Sequence, residues 1–383
     1  MIDKPAVFFI SSRADSRERN LTKYKRLLKN LAMGRIISEG DLVAVKTSFG
    51  EHGNLTFLRP QYVRLVVDEI KRLGGRPFLM DSNTLYAGSR QNSRDHHVTA
   101  IENGFGLSIT GAPVVIAGGL LGLDYRTVPI DGEHFSEAKV VPDVLDADAL
   151  VSLAHFKGHM ICGFGGAIKN VGMGCSARAG KQKMHSDVNP EVGADRCDGC
   201  ARCLKWCPED AISLVAGTGK NKVALIDNEA CIGCGECVAT CFTGAIGINW
   251  KSDPAIVQQK MAEYAGAALS GKASKFAAIN HVLDVTPDCD CLGWSDNPIV
   301  PNIGIVASLD PVAADTAALD LVSRTPGIVE SALPPEDMES EDKFGSIHKG
   351  IDSTAQLAHA EKLGLGSRAY NLVTLDKSEG EQA

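Results

Sequence analysis

The feature that most constrains this chain is a cysteine-rich motif that occurs twice. Residues 197–208 and 231–242 both have the spacing C-x2-C-x2-C-x3-C, and a short apolar strand is predicted after each copy. Three thiolates separated by two residues can surround three corners of one iron–sulfur cubane, and glycines between them permit the tight turns that this requires. The cysteines are Cys197, Cys200, Cys203 and Cys207 in the first copy, and Cys231, Cys234, Cys237 and Cys241 in the second. The repeat therefore predicts a segment that binds iron–sulfur clusters.

The repeat resembles the bacterial-type ferredoxins that carry two [4Fe–4S] clusters. In such proteins the fourth cysteine of each copy ligates the other cluster. The resemblance implies one cluster on Cys197, Cys200, Cys203 and Cys241, and a second on Cys231, Cys234, Cys237 and Cys207. Phe242 departs from the pattern, which usually has proline there, but proline supplies no ligand. A pair of zinc sites is the alternative, although tetrahedral zinc usually takes cysteines as two separated pairs.

The composition is that of a globular protein with reduced thiols. The chain has 383 residues, of which 44% are hydrophobic and 22% charged, with 12 cysteines and a net charge of −8. No secretion signal is evident, so we expect thiolates kept reduced for metal binding, in the cytoplasm of a cell that tolerates oxygen-sensitive clusters. The negative charge argues against a nucleic-acid partner, and no apolar run approaches the roughly 20 residues that span a bilayer. The expected macromolecular partner is a redox protein with a basic surface.

The segments on both sides of the repeat predict one α/β domain. Before it, Asp41–Lys46 and Pro77–Met80 are predicted strands, and apolar positions at helical spacing predict a helix between them. Further strands are expected at Val114–Ala117 and Ala149–Ala154 and within Phe276–Val285 and Ile303–Ala307, and helices at Pro254–Leu269, which looks amphipathic, and from Pro311 to Leu321. We therefore predict an α/β fold, a mostly parallel sheet flanked by helices, with an inserted α+β ferredoxin-like two-cluster domain. The predicted domains are residues 1–188 with 251–331, the insert at 189–250, and an acidic, partly flexible tail at 332–383.

A glycine-rich segment, residues 155–175, leads into the insert. Glycines at this density let backbone N–H groups approach a ligand closely, and the lysines among them favour an anion such as a phosphate or carboxylate. The segment has neither the dinucleotide-binding nor the P-loop spacing. The predicted ligand-binding residues are Lys46, Gly165, Gly166, Lys169 and Asn170. A purely structural loop that supports the insert is the alternative.

Charged residues follow several predicted strands at the point where each strand ends. Lys46 ends one strand, Asp81 the next, a histidine-rich segment a third, and Asp310 a late one. Because ligands in open α/β sheets bind beyond the carboxyl ends of strands, we expect these residues to meet on one face. A histidine there would supply protons and a lysine would hold an anion. The predicted catalytic residues are His155, Lys157 and His159.

Four motifs together resemble the domain-of-unknown-function 362 family. They are the K-T-S strand end at Lys46, Lys157 with its flanking histidines, G-F-G-G-A-I-K-N-V-G-M-G-C from Gly163, and L-D-P-V-A-A-D from Leu309. The resemblance spans roughly residues 41–323. It implies an iron–sulfur protein with the α/β fold of that family, whose members often carry inserted ferredoxin clusters. It implies no substrate.

Four cysteines lie outside the repeat, and they are Cys162, Cys175, Cys289 and Cys291. A free cysteine is most often a small buried residue. The run from Asp288 to Cys291 is nevertheless dense in candidate ligands, and His159 or Cys175 could complete the set. A mononuclear metal site and a redox-active thiol pair are therefore the alternatives to a structural role.

These features lead to two principal hypotheses about function. The first is an oxidoreductase that passes electrons through the clusters to a small anionic substrate, or to a phosphate-bearing cofactor such as a flavin, at the strand ends. The second is an electron-transfer protein whose α/β domain is a docking platform for its partner and has no catalysis of its own. A weaker third hypothesis makes the clusters purely structural. The glycine–lysine loop favours the oxidoreductase, because a docking platform has no need of such close backbone approach.

Overall fold

The computed structural model describes residues 4–16, 18–86, 88–185, 189–217, 222–231, 233–247 and 253–376. Within them the strands are β1 (Ala6–Ser11), β2 (Leu42–Lys46), β3 (Arg76–Ser82), β4 (Val114–Ala117), β5 (Arg126–Pro129), β6 (Glu137–Val140), β7 (Ala149–His155), β8 (Lys157–His159), β9 (Gly163–Gly165), β10 (Glu191–Val192), β11 (Ile212–Ala216), β12 (Lys222–Ile226), β13 (Ile246–Gly247), β14 (Phe276–Val282), β15 (Gly304–Ser308) and β16 (Asn371–Thr374). The helices are α1 (Asn20–Asn30), α2 (Pro60–Arg72), α3 (Ser93–Glu102), α4 (Leu107–Thr110), α5 (Pro142–Asp146), α6 (Ala167–Gly172), α7 (Arg178–His185), α8 (Arg202–Trp206), α9 (Glu236–Thr240), α10 (Pro254–Ala268), α11 (Pro311–Arg324), α12 (Lys343–Ile347) and α13 (Ala355–Lys362), with short 3-10 helices at Met33–Arg35 and Pro335–Asp337.

Eight strands of the described residues form one sheet, in the order β16-β1-β15-β14-β7-β2-β3-β4. The five strands from β14 to β4 are parallel to one another. β16 is parallel to β1, and of these eight strands only β15 runs opposite to both of its neighbours. The predicted α/β fold with a mostly parallel sheet is thereby confirmed. The carboxyl ends of β2, β3, β7 and β14 lie along one edge of the sheet, which we name the carboxyl edge.

Helices cover both faces of the sheet because its strands send apolar side chains alternately into two cores. Along β2, Val43 and Val45 enter one core and Ala44 enters the other. α2 packs on the sheet through the predicted helical spacing, because its apolar side chains at i, i+3, i+4 and i+7 from Val63 are all buried. Full burial of one such side chain contributes about 1.5–3 kcal/mol, so this stripe holds the helix in place.

α10 differs from the amphipathic helix that the sequence predicts. Its polar residues Gln258 and Glu263 are buried together with its apolar ones. The reason is that both α6 and α13 pack against it. Glu263 accepts hydrogen bonds from the backbone N–H groups of residues 133–135 and lies 3.1 Å from His359 Nε2, so its polar atoms are satisfied inside the domain. None of the helices in the described part of the chain combines the length and apolar character that a bilayer crossing requires.

The segment predicted as a partly flexible tail is folded as far as the described residues extend, to Asp376. β16 extends the main sheet by pairing with β1, and α13 packs against α10 and α11. The segment has few apolar residues, but Phe344, Leu357 and Ala360 are almost completely buried. These few contacts and one row of strand hydrogen bonds order a segment whose composition alone resembles a solvated tail. Residues 377–383 lie outside the described residues.

In the described residues of the predicted insert there are two short helices and two small antiparallel strand pairs. α8 contacts α9, β10 pairs with β13, and β11 pairs with β12. β11 and β13 correspond to the strands predicted after the two cysteine motifs, Ala211–Val215 and Ala245–Ile248, and Ile248 lies outside the described residues. Glu236 on α9 anchors the insert, because its Oε1 accepts hydrogen bonds from Lys139 Nζ at 2.6 Å and from Tyr125 Oη at 3.0 Å. The insert thereby packs against β6 of the α/β domain.

Candidate functional site

A cavity of about 570 Å³ lies at the carboxyl edge of the sheet. Its walls are the ends of β2 and β3, the β8–β9 hairpin, α6, α7 and the loop that follows β14. Among the described residues, the lining cations outnumber the carboxylates, and a volume of this size is typical of small-molecule sites. The lining cations are Lys46, Arg90, Lys157, Lys169 and Lys181, and the carboxylates are Asp81 and Asp288. The cavity therefore suits a small anion.

Lys46, at the end of β2, is held by an ion pair in the cavity wall. Its Nζ lies 3.1 Å from Asp81 Oδ1 and donates to Asn170 Oδ1 at 3.0 Å. Burial alone would raise the pKa of Asp81, but the charge of Lys46 and of further neighbours holds it at about 2. Asp81 therefore stays ionised and balances part of the positive charge. Asn170 donates in turn to Lys46 O and to Ser152 Oγ, which ties α6 to the end of β2 and to the middle of β7.

Lys181, on α7, is the cavity side chain best suited to exchange a proton near neutral pH. Burial lowers its pKa to about 7, although the charge of Asp81 opposes this. Its Nζ donates to Ser82 Oγ at 2.9 Å and to Asn83 O at 2.6 Å. The sequence prediction missed Lys181 as a site residue because it follows the glycine-rich segment on a separate helix. The burial of polar α7 against the carboxyl edge is what brings it in.

The predicted residues Lys157 and His155 share one buried carboxylate, but only Lys157 lines the cavity. Asp290 Oδ1 lies 2.7 Å from His155 Nδ1, and Asp290 Oδ2 lies 3.1 Å from Lys157 Nζ. The other nitrogen of His155, Nε2, lies 2.9 Å from Leu283 O. Burial raises the pKa of Asp290, but His155 and Lys157 outweigh this and hold it well below its usual range. In this arrangement His155 positions Asp290, and Asp290 fixes Lys157.

His159 lines the cavity as a neutral imidazole. Its Nδ1 accepts hydrogen bonds from the backbone N–H groups of Ile161 and Cys162, both at 3.1 Å. These two donors assign the ring proton to Nε2. Burial, followed by the charge of Lys169, lowers the pKa of His159 well below its usual range. His159 can therefore donate a hydrogen bond through Nε2, while protonation of Nδ1 is disfavoured.

Because glycine has no side chain, the glycines of the predicted anion-binding segment leave space for the side chain of Asp315 as well as for a ligand. Gly165 and Gly166 both line the cavity. A Cβ atom on Gly166 would collide with the carboxylate of Asp315. This carboxylate accepts the backbone N–H groups of residues 167 and 168 at 2.6 and 2.9 Å. Because Asp315 occupies the start of α6, the lysines of the cavity, and not α6, provide its attraction for an anion.

Asp310 lies away from the cavity, and the prediction that it joins the other strand ends is wrong. It follows β15, which runs opposite to its neighbours, so it lies at the other edge of the sheet. Its Oδ1 accepts the backbone N–H of Ala313 at 2.8 Å and caps α11. A buried antiparallel strand and a buried parallel strand have the same short apolar pattern, so the direction of β15 cannot be predicted from its own residues.

The four cysteines outside the repeat divide into two pairs. Cys162 and Cys175 are fully buried in the core, and burial raises the pKa of each to about 12. Cys289 and Cys291 line the cavity, in the loop that follows β14. Cys289 Sγ lies 3.6 Å from Lys169 Nζ. A structural role therefore fits the first pair, whereas the second pair is exposed to any ligand in the cavity.

Three repeat cysteines, Cys197, Cys200 and Cys241, lie near Cys203. Burial, followed by the charges of Cys241, Cys200 and Cys197, raises the pKa of Cys203 to about 11. The three that act on it are those that the ferredoxin resemblance places on the same cluster, and Cys241 comes from the other copy of the repeat. Backbone N–H groups point at two of these sulfurs, at 3.4 Å from Cys197 Sγ and at 3.4 Å from Cys241 Sγ.

The remaining repeat cysteines surround a small cleft. Cys207 of the first copy lines it together with Cys231, Cys234 and Cys237 of the second copy. The backbone N–H of Ala211 donates to Cys207 Sγ at 3.2 Å. Cys207 of the first copy thus lies beside three cysteines of the second copy.

One apolar cluster connects the cavity with the insert. Leu85 lines the cavity and belongs to the same buried cluster as Cys203 and Cys237. α7 lies beside it, because a Cβ atom on Gly235 of the insert would collide with Gln182 of that helix. Gly235 has a φ of +79°, so glycine is required there on both counts. The cavity and the two cysteine sets are thus neighbours.

Comparison with known proteins identifies the family of this chain. The profile of the domain-of-unknown-function 362 (DUF362) family matches residues 43–320. The chain belongs to the DUF362 family. Among solved structures, the DUF362 chain is similar to the lactate racemase apoprotein from Thermoanaerobacterium thermosaccharolyticum, with 12% sequence identity and a TM-score of 0.44. That similarity covers 83% of the DUF362 chain, which spans 57% of the racemase chain. Comparison with curated proteins gave no match.

Arg90 is a second residue of this DUF362 cavity that sequence reasoning missed. Its Nε lies 3.1 Å from Glu51 Oε2, and its Nη1 lies 3.6 Å from Asp81 Oδ2. Its Nη2 donates to Tyr86 Oη at 2.8 Å. Arg90 is almost completely buried in the loop that follows β3. The one available signal was that a loop at the carboxyl edge carries an arginine, which is too common a feature to identify a site.

Proposed function

We propose that this DUF362 protein is an iron–sulfur oxidoreductase. In this proposal two [4Fe–4S] clusters pass electrons to a small anionic substrate, or to a phosphate-bearing cofactor such as a flavin, bound in the cavity at the carboxyl edge. The observation that carries the proposal is Leu85, which both lines the cationic cavity and belongs to the apolar cluster of Cys203 and Cys237. Purely structural clusters would have no need to adjoin such a cavity.

The two cysteine sets suit iron–sulfur clusters. In the proposal each cluster takes four of these sulfurs, and the fourth member is exchanged between the two copies in the way that two-cluster ferredoxins exchange it. Backbone N–H groups donate to Cys197, Cys207 and Cys241, and such hydrogen bonds stabilise the charge of cluster thiolates. Bound there, the clusters would supply single electrons, while the α/β domain would supply the site at which they are used.

The cavity residues have distinct parts in this proposal. Lys157 and Lys169 would hold the anion by charge-assisted contacts, because Asp290 and the Cys289 sulfur keep both ammonium groups at the cavity wall. Lys181, with its pKa of about 7, would give and take a proton at neutral pH. His159 would donate a hydrogen bond through Nε2.

The experiment measures anion binding and cluster content in the same samples. Lys157→Ala and Lys169→Ala should retain the iron and acid-labile sulfide of the unaltered protein. Titration calorimetry with inorganic phosphate at fixed pH should show about ten- to a hundred-fold weaker binding, because a charge-assisted contact is typically worth about 1.5–3 kcal/mol. Lys275→Ala is the matched control, since Lys275 pairs with Asp41 at 2.9 Å just before β14 starts, at the opposite edge of the sheet.

Two results would contradict the proposal. Stoichiometric zinc without acid-labile sulfide would exclude the clusters. Unchanged phosphate binding in both cavity variants would exclude the anion site. If the protein nevertheless reduced a partner protein, it would be an electron carrier that uses its α/β domain for docking.

A further inference from the structure

Cys289 and Cys291 form a closely spaced pair of sulfurs in the cavity wall. They lie in the loop after β14 and flank Asp290, whose side chain is paired with Lys157 and His155. The loop is held in place, because the backbone N–H of Glu51 donates to Asp290 O at 2.9 Å. Its sulfurs are therefore presented to the cavity by a supported loop.

A metal is one occupant that this pair could have, together with His159. The ligand atoms of His159, Cys289 and Cys291 all lie within 4.8 Å of one another. However, Nδ1 of His159 already accepts two backbone N–H groups. If Nδ1 were the metal ligand, these bonds would compete for its lone pair. A metal-bound imidazole normally keeps a proton on the nitrogen that does not bind the metal. If Nε2 were the ligand, that proton would have to be on Nδ1, where the two backbone N–H donors exclude it. His159 is better suited to donate Nε2–H towards a sulfur.

The charges around the pair differentiate the two sulfurs. Lys169 Nζ lies 3.6 Å from Cys289 Sγ and lines the same cavity. A hydrogen bond from the Cys291 thiol, together with the charges of Lys169 and Lys157, holds the pKa of Cys289 well below its usual range. The same hydrogen bond, with burial, raises the pKa of Cys291. Because Lys169 Nζ lies 3.6 Å from Cys289 Sγ, we assign Cys289 as the nucleophilic thiolate of the pair and Cys291 as its thiol partner.

We propose that Cys289 and Cys291 are a redox-active dithiol that reduces a small anionic disulfide in the cavity. Cys289 Sγ bonds to one substrate sulfur, the substrate S–S bond breaks, and the first thiolate leaves and takes a proton from solvent. Cys291 then gives its proton to the second substrate sulfur and attacks Cys289 Sγ. The substrate gains two electrons and leaves as two thiols, and the protein is left with a Cys289–Cys291 disulfide.

The substrate class follows from the lining of the cavity. A disulfide that bears carboxylates or phosphates would meet Lys46, Arg90 and Lys157, whereas a cationic disulfide would be repelled. The exchange step needs only the reduced dithiol. The return to the dithiol needs two electrons and one proton, and its supply by the clusters rests on the proposed function above.

The test is a single-turnover reaction of the cluster-containing protein. The protein is reduced with dithiothreitol, freed of reductant anaerobically, and mixed with 3,3′-dithiodipropionate, which is anionic, with the neutral 2-hydroxyethyl disulfide, or with the cationic cystamine. We expect release of thiol from the anionic disulfide to be about ten- to a hundred-fold faster than from cystamine. Mass spectrometry should then find a disulfide between Cys289 and Cys291 within one peptide. Lys169→Met should remove much of this charge preference.

The variants separate the two chemical steps. Cys289→Ser should abolish the reaction, and Cys291→Ser should stop at a mixed disulfide on Cys289 after release of one thiol. Cys175→Ala, in the buried core, is the matched control and should react as the unaltered protein does. The iron content of each variant shows that the fold is retained. Equal rates for the three disulfides would overturn the proposal. So would a further metal, bound in addition to the cluster iron, if that metal is lost in Cys289→Ser.

The failure of this proposal differs from that of the proposed function. If the dithiol exchanges with the anionic disulfide but dithionite-reduced clusters do not regenerate it, the electron path is wrong and the dithiol stands. If the clusters are present and phosphate binds, but Cys289→Ser reacts like the unaltered protein, the dithiol is wrong and the proposed function stands.

Discussion

Asp290→Asn is predicted to destabilise the fold strongly, although the side chain keeps its size. Asp290 is completely buried, and its Oδ2 lies 3.1 Å from Lys157 Nζ. At that distance, with an effective dielectric constant of about 20, the attraction between two unit charges is about 5 kcal/mol. The amide removes this attraction and leaves Lys157 in a cavity wall that is already cationic. Because breaking a buried pair typically costs about 3–5 kcal/mol, we expect a loss of that size in the free energy of unfolding.

The measurement is urea unfolding of the cluster-containing protein under anaerobic conditions, followed by circular dichroism. The matched control is Asp146→Asn, which breaks the exposed ion pair with Arg126 and should have little effect. The depressed pKa of Asp290 means that its stabilisation is present above the pKa of an unfolded aspartate, about 4, and is lost only as pH falls through the lower value of the folded state. The titration of Asp290 itself therefore adds no pH dependence above about pH 5, and the two proteins are compared at pH 7. A cost as small as that of the control would refute the buried pair.

Two further predictions concern Lys181 and Cys207. Lys181 loses its proton as pH rises through its pKa of about 7, whereas the charge of sulfate is constant in this range. The affinity of the cavity for sulfate should therefore fall between pH 6 and pH 8 in the unaltered protein and stay flat in Lys181→Met. Equal slopes of affinity against pH in calorimetric titrations would contradict the role of Lys181. Cys207→Ser should lower the iron content by about half and spare the cluster held by Cys197, Cys200 and Cys203, as seen by Mössbauer spectroscopy; loss of that cluster instead would show that Cys207 ligates within its own copy.

Local pattern in the sequence predicted the elements around the site well. The buried stripe of α2 and the apolar runs of β2 and β7 are where the sequence places them, because each is dictated by residues that are neighbours along the chain. The assignment of Cys207 and Cys241 to exchanged clusters rests on the ferredoxin resemblance and stays a prediction. Lys46 and Lys157 both line the cavity because the parallel strands β2 and β7, which they end or directly follow, end at one edge.

The parts that sequence reasoning missed depend on contacts between distant segments. The position of Asp310 depends on the direction of β15, which is set by its pairing with β1 and β14. β16 is ordered by its pairing with β1, so its own composition does not reveal it. Lys181 and Arg90 reach the cavity from α7 and from a long loop, and their burial is decided by the packing of those segments on the carboxyl edge.

The most direct test of electron delivery to the cavity is the EPR spectrum of the dithionite-reduced protein with and without inorganic phosphate. Because Leu85 belongs to the apolar cluster of Cys203 and also lines the cavity, an anion bound there should shift the signal of the cluster held by Cys197, Cys200, Cys203 and Cys241. Lys157→Ala and Lys169→Ala should abolish the shift and leave the spectrum of the anion-free protein intact. Cluster signals that do not change with phosphate in the unaltered protein, or the absence of [4Fe–4S] signals, would contradict electron delivery to the cavity.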